Sequence, residues 1–458
     1  MNWKNKRVII LGAARQGTAL ARYLAEAGAY VVLSDTRSSE VLTDAHASLA
    51  DLQIEWVLGD HPLSLLDNAD LVCPSGGVPL TIPFIKEAVR RGISLSNDSQ
   101  IFIDDTKAQV IGITGSAGKT TTTTLVGRMV EQACKLSPNW EKSFVGGNIG
   151  NPLLNEINHI EENDLVVMEL SSFQLEIMKS APDIAVILNI TPNHLDRHKT
   201  MEAYTNAKLN ILKYQDKNSK VVLYRNDINK FNLKNKQSPY LLSFGLTELE
   251  DIQVGSFVRD EQIWLRDIEQ EKAILPISEI TLKGKHNLLN VLAACAIASA
   301  ADLPVEAMQT GIRGFTGVEH RLELVRNWGS ADWYNDSIAT APERTMAAVN
   351  SFDQPILLML GGRDKDLPWQ DLAALTAKKV SKVIVFGEAA PIIKDCLLLY
   401  PGNKNIFSGA GLEEAVILAS ENVRAGDVVL LSPGGTSFDE FVDFAERGQK
   451  FKDLVNKL

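Results

Sequence analysis

Cysteine is scarce in this chain. Four residues of 458, Cys73, Cys134, Cys295 and Cys396, form no C-x-x-C pair and no other metal spacing. They predict reduced, mostly buried thiols in a cytoplasmic protein and leave no thiolate-built metal site. Basic charge is short too: 46 Lys and Arg against 57 Asp and Glu give a net charge of −11. That balance argues against nucleic acid as a partner and suits an enzyme of small molecules. No apolar run reaches the roughly 18 residues of a membrane span, so no membrane insertion is expected. Lys4, Lys6 and Arg7 precede only the four-residue run Val8 to Leu11, which stops at Gly12 and reads as a first strand rather than a secretion signal. No low-complexity tract interrupts the chain. What is present, 45% apolar and 22% charged residues, describes an ordinary globular protein with material for about three domains.

Arg7 to Leu11 reads as a buried strand. Gly12-Ala13-Ala14-Arg15-Gln16-Gly17, a helical pattern through Leu20, Tyr23 and Leu24, and a second strand from Tyr30 ending at Asp35 follow it. A βαβ opening with an acid after the second strand is the layout of a dinucleotide site, but Ala14 replaces the middle glycine and its methyl group hinders a pyrophosphate. The unit recurs at Asp70 to Val72, leading into Pro74-Ser75-Gly76-Gly77. A Rossmann-like domain is therefore expected over residues 1–97.

Residues 98–317 open with Val110 to Thr114 running into Gly115-Ser116-Ala117-Gly118-Lys119-Thr120-Thr121. Backbone N–H groups of such a loop cradle phosphates, the lysine adds a point charge, and the threonine hydroxyl suits Mg²⁺ at a helix N-terminus. The strict G-x-x-x-x-G-K-[ST] pattern is missed, since Ile113 stands five before Gly118. Leu165 to Met168 exits into Glu169-Leu170-Ser171-Ser172 and Ile184 to Leu188 into Asn189-Ile190-Thr191-Pro192-Asn193-His194, so three strand exits can converge on one nucleotide. The segment Lys220 to Ile280 reads as peripheral β structure, followed by a helix from His286 to Ala300. Together these features predict a P-loop-type ATPase domain with a parallel sheet and a small β part. Residues 318–458, with strands at Ile356 to Leu360, Lys382 to Phe386 and Asp427 to Leu431, form a second Rossmann-like domain. The fold class is α/β with three domains.

Taken singly, the polar residues leave alternatives open. Glu169 suits Mg²⁺ or its water, or the role of a helix-capping or hydrogen-bonded acid. His194 is as readily structural as a ligand. Lys208, on a helix from Thr200 to Leu212, reads as a solvated face residue.

Taken together, the segments resemble the ATP-dependent Mur ligases and their relatives, the folylpolyglutamate synthases. The matching marks are the loop from Thr114 to Thr120, Gly146-Gly147-Asn148-Ile149-Gly150, Glu169-Leu170-Ser171-Ser172-Phe173-Gln174-Leu175, Asn193-His194-Leu195-Asp196-Arg197-His198, Ala207-Lys208, Gly284-Lys285-His286-Asn287, Glu319-His320-Arg321 and Asn335-Asp336-Ser337. They run in the family's order from end to end, and the resemblance accounts for the short G-x-x-G-K-[ST] loop. Asp35-Thr36-Arg37 and Ser432-Pro433-Gly434-Gly435-Thr436-Ser437-Phe438-Asp439, with Phe441, Phe444, Arg447 and Gly448, resemble the branch that adds D-glutamate to UDP-N-acetylmuramoyl-L-alanine. An N-terminal domain ahead of the ATPase domain separates that branch from the folylpolyglutamate synthases, and an NAD-dependent oxidoreductase would leave the phosphate loop idle.

The resemblance implies an ADP-forming ligase of cytoplasmic peptidoglycan synthesis, a monomer, using ATP and two Mg²⁺ ions through an acyl phosphate. It implies ATP contacts from Gly115, Ser116, Ala117, Gly118, Lys119, Thr120, Thr121, Asn287, Arg321 and Asp336. For the UDP substrate it implies Arg15, Gln16, Asp35, Thr36, Arg37, Gly77, Asn148 and His194; for D-glutamate, Thr340, Lys365, Ser437 and Phe444. Lys119, Glu169, His194 and Lys208 would be catalytic, and Thr120, Glu169, His194 and a carbamylated Lys208 would hold metal. One departure stands out. Many members carry lysine between Ser337 and Ala339, where this chain has Ile338, so part of the glutamate contact is absent or supplied elsewhere, with Arg363 a candidate.

Overall fold

The structure, a computed structural model, describes residues 2–192, 195–231, 240–250, 253–282, 284–364 and 367–458. The chain divides into two compact units, Met1–Phe315 and Thr316–Leu458.

The first unit holds two sheets. Strands β1 (Arg7–Leu11), β2 (Tyr30–Asp35), β3 (Ile54–Leu58), β4 (Leu71–Pro74) and β5 (Ser94–Leu95) form an all-parallel sheet in the order β3-β2-β1-β4-β5. Val8 to Leu11 are fully buried, as continuous apolar runs in a two-sided parallel sheet must be. The helix Arg15–Glu26 follows β1. It packs closely enough that a Cβ on Gly17 would lie 1.9 Å from Gly12 O.

The second sheet has nine strands. They are β6 (Gln109–Thr114), β7 (Ser143–Gly147), β8 (Leu165–Glu169), β9 (Ile184–Ile187), β10 (Lys220–Tyr224), β11 (Tyr240–Phe244), β12 (Gly255–Arg259), β13 (Gln262–Arg266) and β14 (Glu271–Pro276), in the order β14-β13-β12-β11-β10-β9-β6-β8-β7. The strands from β7 to β12 pair in parallel, while β12-β13-β14 is antiparallel. The segment expected as peripheral β structure is thus part of the same sheet as the phosphate loop, because β10 pairs directly with β9. The helix Lys285–Ala300 has buried side chains all round, the mark of a central helix, and belongs to a core shared with the helix Lys119–Leu136.

The second unit is a six-stranded sheet of β15 (Glu323–Trp328), β16 (Ala331–Asn335), β17 (Ile356–Gly361), β18 (Val380–Phe386), β19 (Ile406–Ser408) and β20 (Val428–Gly434), ordered β15-β16-β20-β17-β18-β19. All pairs are parallel except β15-β16. Separate apolar clusters cover its two faces. Among the described residues no helix is long and apolar enough to cross a membrane. Cys73 and Cys295 are buried, Cys134 and Cys396 partly so, and all four are free thiols.

Candidate active site

The phosphate loop leaves β6 at Thr114 and enters the helix Lys119–Leu136 through Gly118, whose φ of +84° is left-handed. A Cβ there would also lie 2.2 Å from Asn290 Oδ1, so a larger residue would have to displace the Asn290 side chain. Asn189, at the exit of β9, holds the loop's shape: its Oδ1 accepts from Ala117 N and its Nδ2 donates to Ala117 O, both at 2.9 Å. Ser116 Oγ donates to Thr191 O at 2.9 Å and lies 2.9 Å from the Tyr204 hydroxyl. Lys119 Nζ donates to Gly115 O at 3.0 Å. Its ammonium therefore lies at the helix N-terminus where phosphate oxygens bind.

Three strand exits meet at Glu169. This carboxylate is 2% exposed; its Oε2 accepts from Thr120 Oγ1 at 2.8 Å and its Oε1 from Asn148 Nδ2 at 3.1 Å. It is a hydrogen-bonded acid but not a cap: Ser171 caps the helix that follows, as part of a capping box with Gln174. The hard oxygen donors of Thr120 and Glu169 suit Mg²⁺, whose remaining positions phosphates and water fill. Among the described residues no group of three or more His, Cys, Asp or Glu gathers as a metal site.

Lys208 is not on a solvated face. It is 1% exposed on the helix Met201–Leu209, and its Nζ donates to Gly115 O at 2.9 Å and Thr114 Oγ1 at 3.3 Å. Burial, and next the nearby Lys119 charge, lower its pKa to about 7, against an opposing pull from Glu169. His194 lies outside the described residues. In the same segment, Arg197 spans the Phe173 ring at 3.9 Å and donates to Gly76 O at 2.7 Å and Val78 O at 2.8 Å. The His198 ring stacks on the Phe173 ring, with centroids 5.2 Å apart. Sequence reasoning missed Asn290, and it placed Asn189 in a strand exit and Arg197 in a motif without giving either a role. Asn290 was findable as the residue one turn after Asn287, to which its Nδ2 donates at 3.3 Å.

In the first sheet Asp35 is buried and accepts from Ala13 N at 2.7 Å, Arg37 N at 2.9 Å and the Arg37 guanidinium at 2.9 and 2.7 Å. Burial alone would raise its pKa, but the Arg37 side chain and the two backbone donors outweigh that and lower it to about 2. Gln16 Nε2 donates to Gly147 O at 2.7 Å and Arg15 Nη1 to Gly150 O at 3.2 Å. Arg15, Gln16 and Asn148 thereby share one region, while Thr36 is exposed and Gly77 has open space about it.

In the second unit Arg447 is fully buried. It donates to Ser337 Oγ at 3.0 Å, Ser337 O at 2.9 Å and, from both terminal nitrogens, Gly435 O at 3.2 Å. Burial lowers its pKa to about 10, with Asp439 and Glu440 pulling upward. Ser337 Oγ donates to Phe444 O at 2.8 Å, so Arg447 and Ser337 tie the segments carrying Thr340 and Ser437 to the helix Phe444–Lys457. Asp336 accepts from Ser432 Oγ at 2.8 Å and Leu322 N at 3.2 Å. Burial lifts it to about 6, opposed by those hydrogen bonds and by the charges of Arg321 and Arg344. Arg363 is bound through both nitrogens to Glu388 at 2.7 and 2.9 Å, and Lys365 lies outside the described residues.

A phosphate-binding loop joined to a buried carboxylate and a buried lysine, beside a dinucleotide-type sheet, defines a nucleotide-dependent enzyme of the α/β class. Comparison with known proteins makes it specific. Residues 6–97 match the Mur ligase MurD-like N-terminal domain, 113–298 the Mur ligase middle domain and 320–435 the Mur ligase glutamate ligase domain. The chain belongs to the Mur ligase family. It is 40% identical, over 99% of its length and 98% of the relative's, to UDP-N-acetylmuramoylalanine--D-glutamate ligase of Symbiobacterium thermophilum. It is 38% identical, over 99% and 97%, to the protein of the same name from Acetivibrio thermocellus. Among solved structures, UDP-N-acetylmuramate-alanine ligase MurC of Thermotoga maritima shares the fold with a TM-score of 0.53, at 19% identity over 99% of each chain.

Proposed function

We infer that this chain is an ATP-dependent amide-bond ligase that joins D-glutamate to UDP-N-acetylmuramoyl-L-alanine in the cytoplasmic assembly of peptidoglycan precursors. The observation that carries the chemistry is the meeting of three strand exits, in which Thr120 and Asn148 both bond Glu169 and Lys208 bonds the phosphate loop. The D-glutamate ligases that the chain resembles along its whole length support the choice of substrates.

A carboxylate oxygen of the L-alanyl substrate attacks the γ-phosphorus of ATP and ADP leaves, giving an acyl phosphate. The amine of D-glutamate then attacks the acyl carbon, loses a proton, and phosphate departs. Two anions must approach each other in the first step, so positive charge has to be fixed in place beforehand. Lys119 and the helix N-terminus behind it supply that charge to the phosphates. Mur ligases use ATP with Mg²⁺, and Thr120 and Glu169 are the residues that would hold the ion, which screens the phosphate oxygens when bound. Asn148 orients Glu169 and faces the UDP substrate with Arg15 and Gln16; Asp35, Thr36, Arg37 and Gly77 hold its nucleotide. Asn287, Arg321 and Asp336 contact ATP, and Thr340, Ser437 and Phe444 contact D-glutamate, with Lys365 and His194 completing the two sets.

Lys208 works as a carbamate. Its neutral amine adds CO₂ and releases one proton, turning a buried amine into a carboxylate-like group able to help hold a second Mg²⁺. A pKa near 7 leaves much of that amine unprotonated at neutral pH. The domains divide at 1–97, 98–317 and 318–458, and the active species is a monomer.

Release of phosphate from ATP is expected to require UDP-N-acetylmuramoyl-L-alanine and D-glutamate together. Across a panel of amino acids, release that ignores D-glutamate would overturn the reading.

A further inference from the structure

We propose that Arg197 is a positioning residue for the UDP-linked substrate, holding the loop of residues 75–78 in the first sheet's domain against the sheet that carries the phosphate loop. The inference rests on the substrate reading above. Strand β4 lies beside β1 in the order β3-β2-β1-β4-β5, and the crevice at their carboxyl ends is the switch point where a doubly wound sheet binds its ligand. The loop leaving β4 walls that crevice. Ser75 N donates to Leu11 O at 2.9 Å and Ser75 Oγ to Gly12 O at 3.2 Å, which ties the start of the loop to the end of β1. At Gly76 and Gly77 a Cβ would meet nothing within 4 Å, so the middle of the loop faces open space.

Arg197 braces this part from the other sheet. Its Nη1 donates to Gly76 O at 2.7 Å and its Nη2 to Val78 O at 2.8 Å. A planar fork can hold two carbonyls at once, whereas a lysine ammonium is a single point charge on a flexible stem. Arg197 belongs to the helix Leu195–His198, which follows β9. Its guanidinium lies 3.9 Å from the centroid of the Phe173 ring, in the segment that follows Glu169. One side chain thus joins the loop beside the UDP-linked substrate to the exits of β8 and β9, where Glu169 and Asn189 shape the ATP site. A substrate that spans both sheets must bring its carboxylate to ATP at a fixed distance, and a misplacement of about 1 Å can cost ~100-fold in rate.

The test is steady-state phosphate release by the full chain with each substrate varied in turn. Arg197→Ala should raise KM for UDP-N-acetylmuramoyl-L-alanine by about 10- to 100-fold, the range of a lost charged hydrogen bond, while KM for ATP moves less than about twofold. Millimolar guanidinium should return part of the lost affinity to this variant and leave the parent unchanged, whereas Arg197→Lys, lacking the fork, should stay impaired. If Arg197→Ala does not fold, Phe173→Leu removes the ring beneath the guanidinium and should raise the same KM by about 2- to 10-fold. An unchanged KM for the UDP-linked substrate in these variants, an equal rise in KM for ATP, or no response of Arg197→Ala to guanidinium would overturn the assignment. Failure of the unmodified protein to release phosphate in response to its two proposed substrates would instead defeat the functional reading on which it rests.

Discussion

Lys208 shows how position changes a residue's chemistry. A helical lysine in water holds its proton to above pH 10, whereas this one, enclosed beneath the phosphate loop, has a pKa of about 7. The carbamate should therefore form as pH rises through 7 and revert below it. Carbon NMR with labelled bicarbonate would record this as a protein-bound signal absent from Lys208→Ala; a signal independent of pH or present in the variant would contradict it. Bicarbonate should not restore turnover to that variant. The same shift has a stability consequence. The folded value lies below the unfolded one, so between about 7 and 10.5 the unfolded chain binds the extra proton, and the cost of burial grows as pH falls across that window. Lys208→Met should accordingly stabilise the bicarbonate-free protein more at pH 7 than at pH 10, read by denaturant midpoints. The carbamate was legible only through the resemblance of the motifs; the burial and the lowered pKa were not, since a lone lysine on a mixed helix gives no sign of what its neighbours in space will be.

Elements place these residues through their ends. Gly118 begins the helix Lys119–Leu136 in a left-handed conformation with Asn290 against it. Gly118→Ala should lower stability by about 1–2 kcal/mol from the backbone alone and weaken ATP binding further as Asn290 is displaced. Thermal unfolding and the KM for ATP would check both, and a variant equal to the parent in each would refute the close packing. Strand exits were the most legible feature of the sequence, because buried runs such as Val110 to Ile113 end abruptly in glycine and hydroxyl residues. The hairpin β15-β16 was not seen. Its two-residue turn, Gly329-Ser330, takes positive φ at both positions, which suits the twist of paired strands, but the mixed burial of Glu323–Trp328 hides the alternation that would mark a strand. The outer strands β10 to β14 were visible as β structure, yet nothing local to them reveals that β10 pairs with β9.

At the scale of the molecule, the unit Thr316–Leu458 carries its own sheet with apolar clusters on both faces. Expressed alone it should fold with a cooperative thermal transition by circular dichroism and release no phosphate from ATP; a non-cooperative transition would show that it depends on the rest of the chain. The larger unit joins its two sheets through polar contacts that also carry proposed substrate residues, Gln16 to Gly147 and Arg15 to Gly150, and through Arg197 to Gly76. The order of motifs along the chain made the family legible, whereas the pairing of Thr120 and Asn148 on one buried carboxylate needed the fold. The chemistry proposed around that pairing runs through an acyl phosphate, and oxygen isotope transfer tests it most directly. With both carboxylate oxygens of UDP-N-acetylmuramoyl-L-alanine labelled with ¹⁸O, each phosphate released during amide formation should carry one labelled oxygen; unlabelled phosphate would contradict the account.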